Sequence, residues 1–168
     1  MNNTTRVLLV AAIAVGLAAC TKKTVPEAPA AQPAQPATQA AVDDGKYGPE
    51  DLDTDACLKQ RTVYFDLDQD SVKPEFQAIL ACHAKYLQDR PESRVTLEGH
   101  ADERGSREYN LGLGERRGNA VSGALQAAGG SAGQQTVVSF GEERPVDAAS
   151  TEAAWAKNRR VEIVYTAR

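Results

Sequence analysis

Four short runs rich in β-branched and aromatic residues, TVYF (62–65), RVTLE (94–98), QTVVSF (135–140) and RVEIVY (160–165), constrain this chain most. Each has the length and composition of a half-buried strand, with apolar positions alternating at Val63 and Phe65, at Val95 and Leu97, and at Val161, Ile163 and Tyr165. Between the first two runs Pro74 suits a first helical turn, and Phe76, Ile79, Leu80, His83, Tyr86 and Leu87 follow along one helix face that must end before Pro91. His83 on that face reads as a core histidine. After the second run Ser106 suits an N-cap, and Leu113, Ala120, Val121, Ala124, Leu125 and Ala128 share one side of a helix that Gly129 and Gly130 end. A short helix around Trp155 (152–157) precedes the last run. The order βαβαβ(α)β predicts an α/β (α+β) sandwich, one small mixed sheet covered by helices, over residues 51–168. One local feature opposes it: Gly112, Gly114, Gly118 and Gly123 lie inside the second helix, each costing about 1 kcal/mol relative to alanine.

The chain ahead of this pattern has a different character. Arg6 and the amino terminus precede an uncharged apolar run, VLLVAAIAVGL (7–17), whose length suits a signal peptide over residues 1–19 and falls short of the ~20 residues of a spanning helix. "LAAC", ending at Cys20, resembles the bacterial lipobox, which implies an acylated cysteine as the first mature residue and a lipid anchor. Thr21, in place of an inner-membrane retention aspartate, favours the outer membrane, with the folded part facing the periplasm. Residues 21–50 begin as TKKTVPEAPAAQPAQPATQAAV, too poor in apolar side chains to offset the entropy of ordering. They read as a tether of extended, polyproline-biased chain at ~3.1 Å per residue. Export would put Cys57 and Cys82 in a compartment where they can form a disulfide; the alternative is two buried thiols.

Several chemistries fit the motifs poorly. A formal charge of −4 provides no positive field for nucleic acid. Asp66, Asp68 and Asp70 have calcium-loop spacing, but Ser71 stands where a glycine is required and Gln77 where a bidentate glutamate is required. His100, Asp102 and Glu103, in LEGHADERGSREYN, have no second histidine or paired cysteine nearby to complete a metal set, and no elbow-type turn surrounds Ser106 as a nucleophile. Neither a metal, a cofactor nor catalysis is expected. Arg117 is more telling: it projects between Leu113, Ala120 and Ala124 on the core side of the second helix. A guanidinium there needs an anion, either an internal partner (Asp66, Asp102 or Glu108) or a ligand carboxylate. In the second case Asp102 in the preceding loop would take an ammonium, and the pair would select a zwitterion.

The stretches VYFDLDQDSV, VTLEGHADERGSREYNLGLGERRGNAV, VVSFGEERP and AAWAKNRRVEIVY resemble, in order and spacing, the OmpA-like peptidoglycan-binding domain family, across residues 62–165. The resemblance implies a non-covalent clamp on peptidoglycan peptide stems, with meso-diaminopimelate as epitope. By position, Asp102 matches the family aspartate that meets the ligand ammonium, and Arg117 the arginine that meets its carboxylate. Phe65, Asp66, Tyr109, Asn110, Leu113 and Arg159 match further lining positions, with a structural ion pair as the alternative for Arg159. The resemblance also implies the Tol-Pal system, the periplasmic partner TolB, and a link between outer membrane and wall that supports envelope constriction at division. An alternative within it is a protein-assembly module for TolB with incidental wall binding.

Overall fold

The computed structural model describes residues 45–168; the expected signal segment, Cys20 and residues 21–44 of the expected tether lie outside the described residues. The elements run α1 (Asp51–Thr54), β1 (Thr62–Tyr64), α2 (Gln77–Asp89), β2 (Arg94–His100), α3 (Arg107–Ala127), β3 (Gln135–Gly141), α4 (Glu152–Asn158) and β4 (Arg160–Ala167). The strands form one mixed sheet in the order β1-β4-β2-β3. β4 is antiparallel to both β1 and β2, while β2 and β3, joined across α3, run parallel. This is the small mixed sheet with covering helices that the sequence pattern predicts.

The core follows from the alternation. Val63, Val95, Leu97, Val161 and Ile163 put their side chains on one sheet face, where Leu80, Ala84 and Leu87 of α2 and Val121 and Leu125 of α3 meet them, all buried. Ser106 caps α3 by accepting a hydrogen bond from the Tyr109 N–H at 3.2 Å. His83 is a neutral core histidine: Nε2–H donates to the Gln60 carbonyl (3.0 Å) and Nδ1 accepts from the Tyr165 hydroxyl (2.8 Å). Burial lowers its pKa below the ordinary 6.5.

Two of the glycines of α3, Gly114 and Gly118, have a packing reason. A Cβ on Gly114 would lie 2.4 Å from Ser139 Oγ and 2.9 Å from the Gly99 carbonyl oxygen, and one on Gly118 would lie 2.5 Å from a Val137 methyl. One turn apart on one face, they let α3 sit directly on β2 and β3, so the helix runs unbroken for 21 residues despite its propensity.

The packed unit also starts ahead of the expected boundary at residue 51. The Tyr47 ring lies tilted against that of Tyr86 with centroids 6.3 Å apart, the Tyr47 N–H donates to Asp89 Oδ2, and the side chain packs on a second apolar cluster of Leu52, Leu58 and Tyr86. Helix α1, hidden in an acidic run without apolar period, carries Leu52 into that cluster. Cys57 and Cys82 form a disulfide, with Cα atoms 6.3 Å apart, that ties this segment to α2. Among the described residues no helix is long and apolar enough to cross a membrane.

Candidate functional site

Asp102 sits just past the end of β2, in the loop that turns into α3. Two devices hold that loop. Gly105 takes φ +111°, a conformation open to glycine, and the Asn110 amide reaches back to donate to the Asp102 and Arg104 carbonyls, 3.1 Å each. The carboxylate of Asp102 is therefore fixed, and it is only 4 % exposed. Its Oδ1 accepts from the Arg104 N–H (3.0 Å) and Nε–H (3.1 Å); its Oδ2 accepts from Arg104 Nη2 (2.7 Å) and Arg159 Nη1 (3.2 Å). Burial alone would raise its pKa, but the hydrogen bonds from Arg104 and Arg159 outweigh that and hold it below the usual carboxylate range. It is ionised at any physiological pH.

Arg117, one residue short of Gly118 on α3, is fully buried. Its Nε donates to the Gln69 carbonyl (2.8 Å), Nη1 to the His100 carbonyl (2.9 Å) and Nη2 to the Asp66 carbonyl (3.0 Å), and the guanidinium lies 5.2 Å above the Phe65 ring. These acceptors are dipoles, not charges. The internal ion pair with Asp66, Asp102 or Glu108 considered from the sequence does not form: among the described residues no carboxylate lies within ion-pair distance of Arg117. The Asp66 carboxylate turns away to Lys73 at 2.7 Å, and Asp66 serves Arg117 through its backbone instead. Burial and the nearby Arg159 lower the Arg117 pKa to about 10, which still leaves it cationic at neutral pH.

Asp102 and Arg117 line one cavity of about 250 Å³. Of the other residues expected at the site, Tyr109, Asn110, Leu113 and Arg159 line it too, whereas the buried Phe65 and the exposed Asp66 do not. Phe65 is a core side chain under the Arg117 guanidinium. Arg159 fills both roles considered for it, since it lines the cavity and also pairs with Asp102 and with Glu152 (2.8 Å) while donating to the Phe65 carbonyl (3.1 Å).

The structure adds Leu67, Asp68, Arg104 and Gly105 to the lining. Leu67 and Tyr109, 53 % and 46 % exposed, carry apolar surface at the cavity, and the Tyr109 hydroxyl donates to Asp68. Asp70 pairs with Arg116 at 3.0 Å, so the three aspartates of DLDQDS serve three separate partners. For Arg104 a sequence signal existed: an aspartate in a turn closed by glycine accepts from the backbone N–H two residues on, which sets residue 104 beside the Asp102 carboxylate. The cavity thus offers one fixed anion and one fixed cation without a carboxylate partner, with apolar walls nearby.

Three comparisons bear on this arrangement. A profile described as the OmpA family matches residues 64–159. The chain is similar to the peptidoglycan-associated lipoprotein of Pasteurella multocida, 39 % identical over 165 residues that cover 98 % of this chain and all of the relative. It is also similar to that of Pseudomonas aeruginosa, 49 % identical over 113 residues, 67 % of each chain. Among solved structures, the peptidoglycan-associated lipoprotein from Burkholderia pseudomallei superposes with a TM-score of 0.67 at 44 % identity, covering 68 % of this chain and 98 % of that one.

Proposed function

Since this chain belongs to the OmpA family and is kin along nearly its whole length to peptidoglycan-associated lipoproteins, we propose that it binds peptidoglycan non-covalently and ties the outer membrane to the wall. The observation that carries this reading is the pair Asp102 and Arg117 in one cavity, with Arg117 buried and answered only by carbonyl dipoles. A carboxylate from outside is what that cation lacks. An amino acid carrying both an ammonium and a carboxylate on its side chain answers both charges, and meso-diaminopimelate in the peptide stem is that amino acid. Lysine has the ammonium without the carboxylate, so the cavity would discriminate between the two stem types. Binding needs placed charges and no bond changes, and the reading is of a clamp rather than an enzyme.

The lipid anchor on Cys20, the signal peptide and the tether belong to the same proposal. They would let a membrane-held domain reach the wall. The Tol-Pal system, with TolB as a periplasmic partner, and a part in constriction at division complete it. Exposed Leu67 and Tyr109 beside the cavity offer apolar surface that wall and TolB would compete for.

The test is retention of the full-length protein on purified sacculi, followed by titration with peptide stems containing diaminopimelate or lysine. Asp102→Asn and Arg117→Lys should each weaken binding by roughly 2 kcal/mol or more, because each leaves an opposing ligand charge poorly answered. Melting curves for both variants separate lost binding from lost folding. Retention equal to wild type in either folded variant, or equal affinity for the two stems, would remove the assignment.

A further inference from the structure

All the strong acceptor directions of Asp102 are already taken. Arg104 supplies three of its four hydrogen bonds, from the backbone N–H, Nε and Nη2 at 3.0, 3.1 and 2.7 Å, and Arg159 supplies the fourth at 3.2 Å. A carboxylate has about four lone-pair directions, so an incoming ammonium finds none vacant. One of the two arginines must withdraw its side chain before Asp102 can receive a ligand cation.

The two differ in their freedom to do so. The Arg159 side chain is 7 % exposed and held at three points, by Asp102, by the Phe65 carbonyl and by Glu152. The Arg104 side chain is 31 % exposed, and its other partners lie outward: Glu152 Oε2 at 3.3 Å, itself 64 % exposed, and the face of Trp155 at 4.1 Å. Both arginines touch Glu152, but Arg104 can leave Asp102 and stay on Glu152 and the Trp155 face at the surface, whereas Arg159 is buried and also bound to the Phe65 carbonyl.

We propose that Arg104 is a specificity-determining latch, an internal guanidinium that occupies the ammonium position on Asp102 and is displaced only by a ligand presenting its own cation there. The inference rests on the reading of the cavity as a zwitterion site. Displacement trades a bidentate arginine contact, partly screened by solvent, for an ammonium contact. The exchange alone is close to neutral, and the ligand carboxylate on Arg117 tips it. Simple amines therefore leave the latch closed, as do anionic ligands without an ammonium. While the cavity holds no ligand, the latch adds a second cation to the one Arg159 already supplies to the buried Asp102 carboxylate.

Trp155 is the only tryptophan in the chain, so its emission reports where the Arg104 guanidinium sits. The experiment titrates the full-length protein in detergent micelles with an alanyl-glutamyl-diaminopimelate tripeptide, for wild type, Arg104→Gln and Asp102→Asn, by calorimetry and by Trp155 fluorescence. Arg104→Gln should tighten binding by about tenfold, or 1.4 kcal/mol, since the competitor is gone. The tripeptide should shift Trp155 emission in wild type and not in Arg104→Gln. The tripeptide with its diaminopimelate side-chain amine acetylated should bind weakly and leave wild-type emission unchanged. If Asp102→Asn abolishes binding while Arg104→Gln leaves affinity unchanged or weaker, Arg104 is a wall or a direct ligand contact, and the latch is overturned alone. If Asp102→Asn binds as well as wild type, the site assignment itself fails and the latch with it.

Discussion

Asp102 and Arg117 keep opposite charges in one cavity by different means. The aspartate is held ionised by two arginines, and the arginine is held by three carbonyls that leave its charge formally unanswered. A buried cation on α3 was legible in the sequence, because helix projection fixes which face a residue occupies. Its acceptors were not, because backbone carbonyls from three separate segments have no sequence signature. The two histidines of the chain, both buried, give a pH test at the same scale. His100 stacks on Phe140 and finds no partner for either ring nitrogen among the described residues. Burial, then Arg160, lower its pKa from 6.5 to about 4. Above pH 6.5 the ring is neutral in folded and unfolded chains alike, and it contributes no slope. As pH falls from 6.5 toward 4 only the unfolded chain takes the proton, so stability should drop, by on the order of 1–2 kcal/mol once solvent screening is allowed for. His83 pulls in the same direction. Urea unfolding across pH 4–7 measures the slope. His100→Leu should flatten much of it and leave stability at pH 7 unchanged or raised, since a ring with two unpaired polar atoms is exchanged for an apolar group.

At the scale of elements, β1, β2, β4, α2 and α3 were readable because each has an apolar period that its burial uses, whereas β3 was read from its β-rich composition and α4 as a short helix around Trp155. Helix α1 was not: four residues of DLDT show no period, and only tertiary contact with Leu58 and Tyr86 gives Leu52 a reason to be helical. The glycines of α3 were readable as an anomaly, and the structure divides them. Gly114 meets Gly99 backbone to backbone, whereas Gly123 is exposed, with nothing within 4 Å of where its Cβ would be. Gly114→Ala must push α3 off β2, and with it the N-terminal half of the helix, which carries Asn110 and Arg117 at the cavity. It should destabilise by about 2–3 kcal/mol and weaken ligand binding. Gly123→Ala should stabilise by about 0.5–1 kcal/mol through helix propensity and the unfolded chain, with binding unchanged. Chemical denaturation of the two variants checks the contrast; a destabilising Gly123→Ala would show that α3 packs differently.

At the scale of the whole described unit, its N-terminal root is tied to the domain by a disulfide, a small apolar cluster and polar contacts from Tyr47 to Asp89 and from Asp53 to Arg61 and Arg168. Residues 47–58 rest on α2 through Tyr47, Leu52 and Leu58 around Tyr86, and through the Cys57–Cys82 disulfide. The cavity takes its lining from residues 67–68, 102–117 and 159, and none of it from this root. The two parts should therefore respond separately to loss of the disulfide. Its partners are 25 residues apart, so chain-entropy reasoning gives it a stabilisation of about 3.5 kcal/mol at room temperature. For a domain of this size that corresponds to roughly 10–20 °C in melting temperature. Removing the bridge frees the unfolded chain more than it alters the folded one. Cys57→Ser with Cys82→Ser should therefore melt lower by that amount, and reductant should lower wild type to meet it. Stem-peptide affinity at 20 °C, well below both transitions, should stay within about twofold of wild type, since no cavity contact depends on the bridge. A loss of binding matching the loss of stability would instead mean that the root positions β1 and the Asp66–Gln69 carbonyls that hold Arg117. The disulfide would then belong to the site rather than to its foundation.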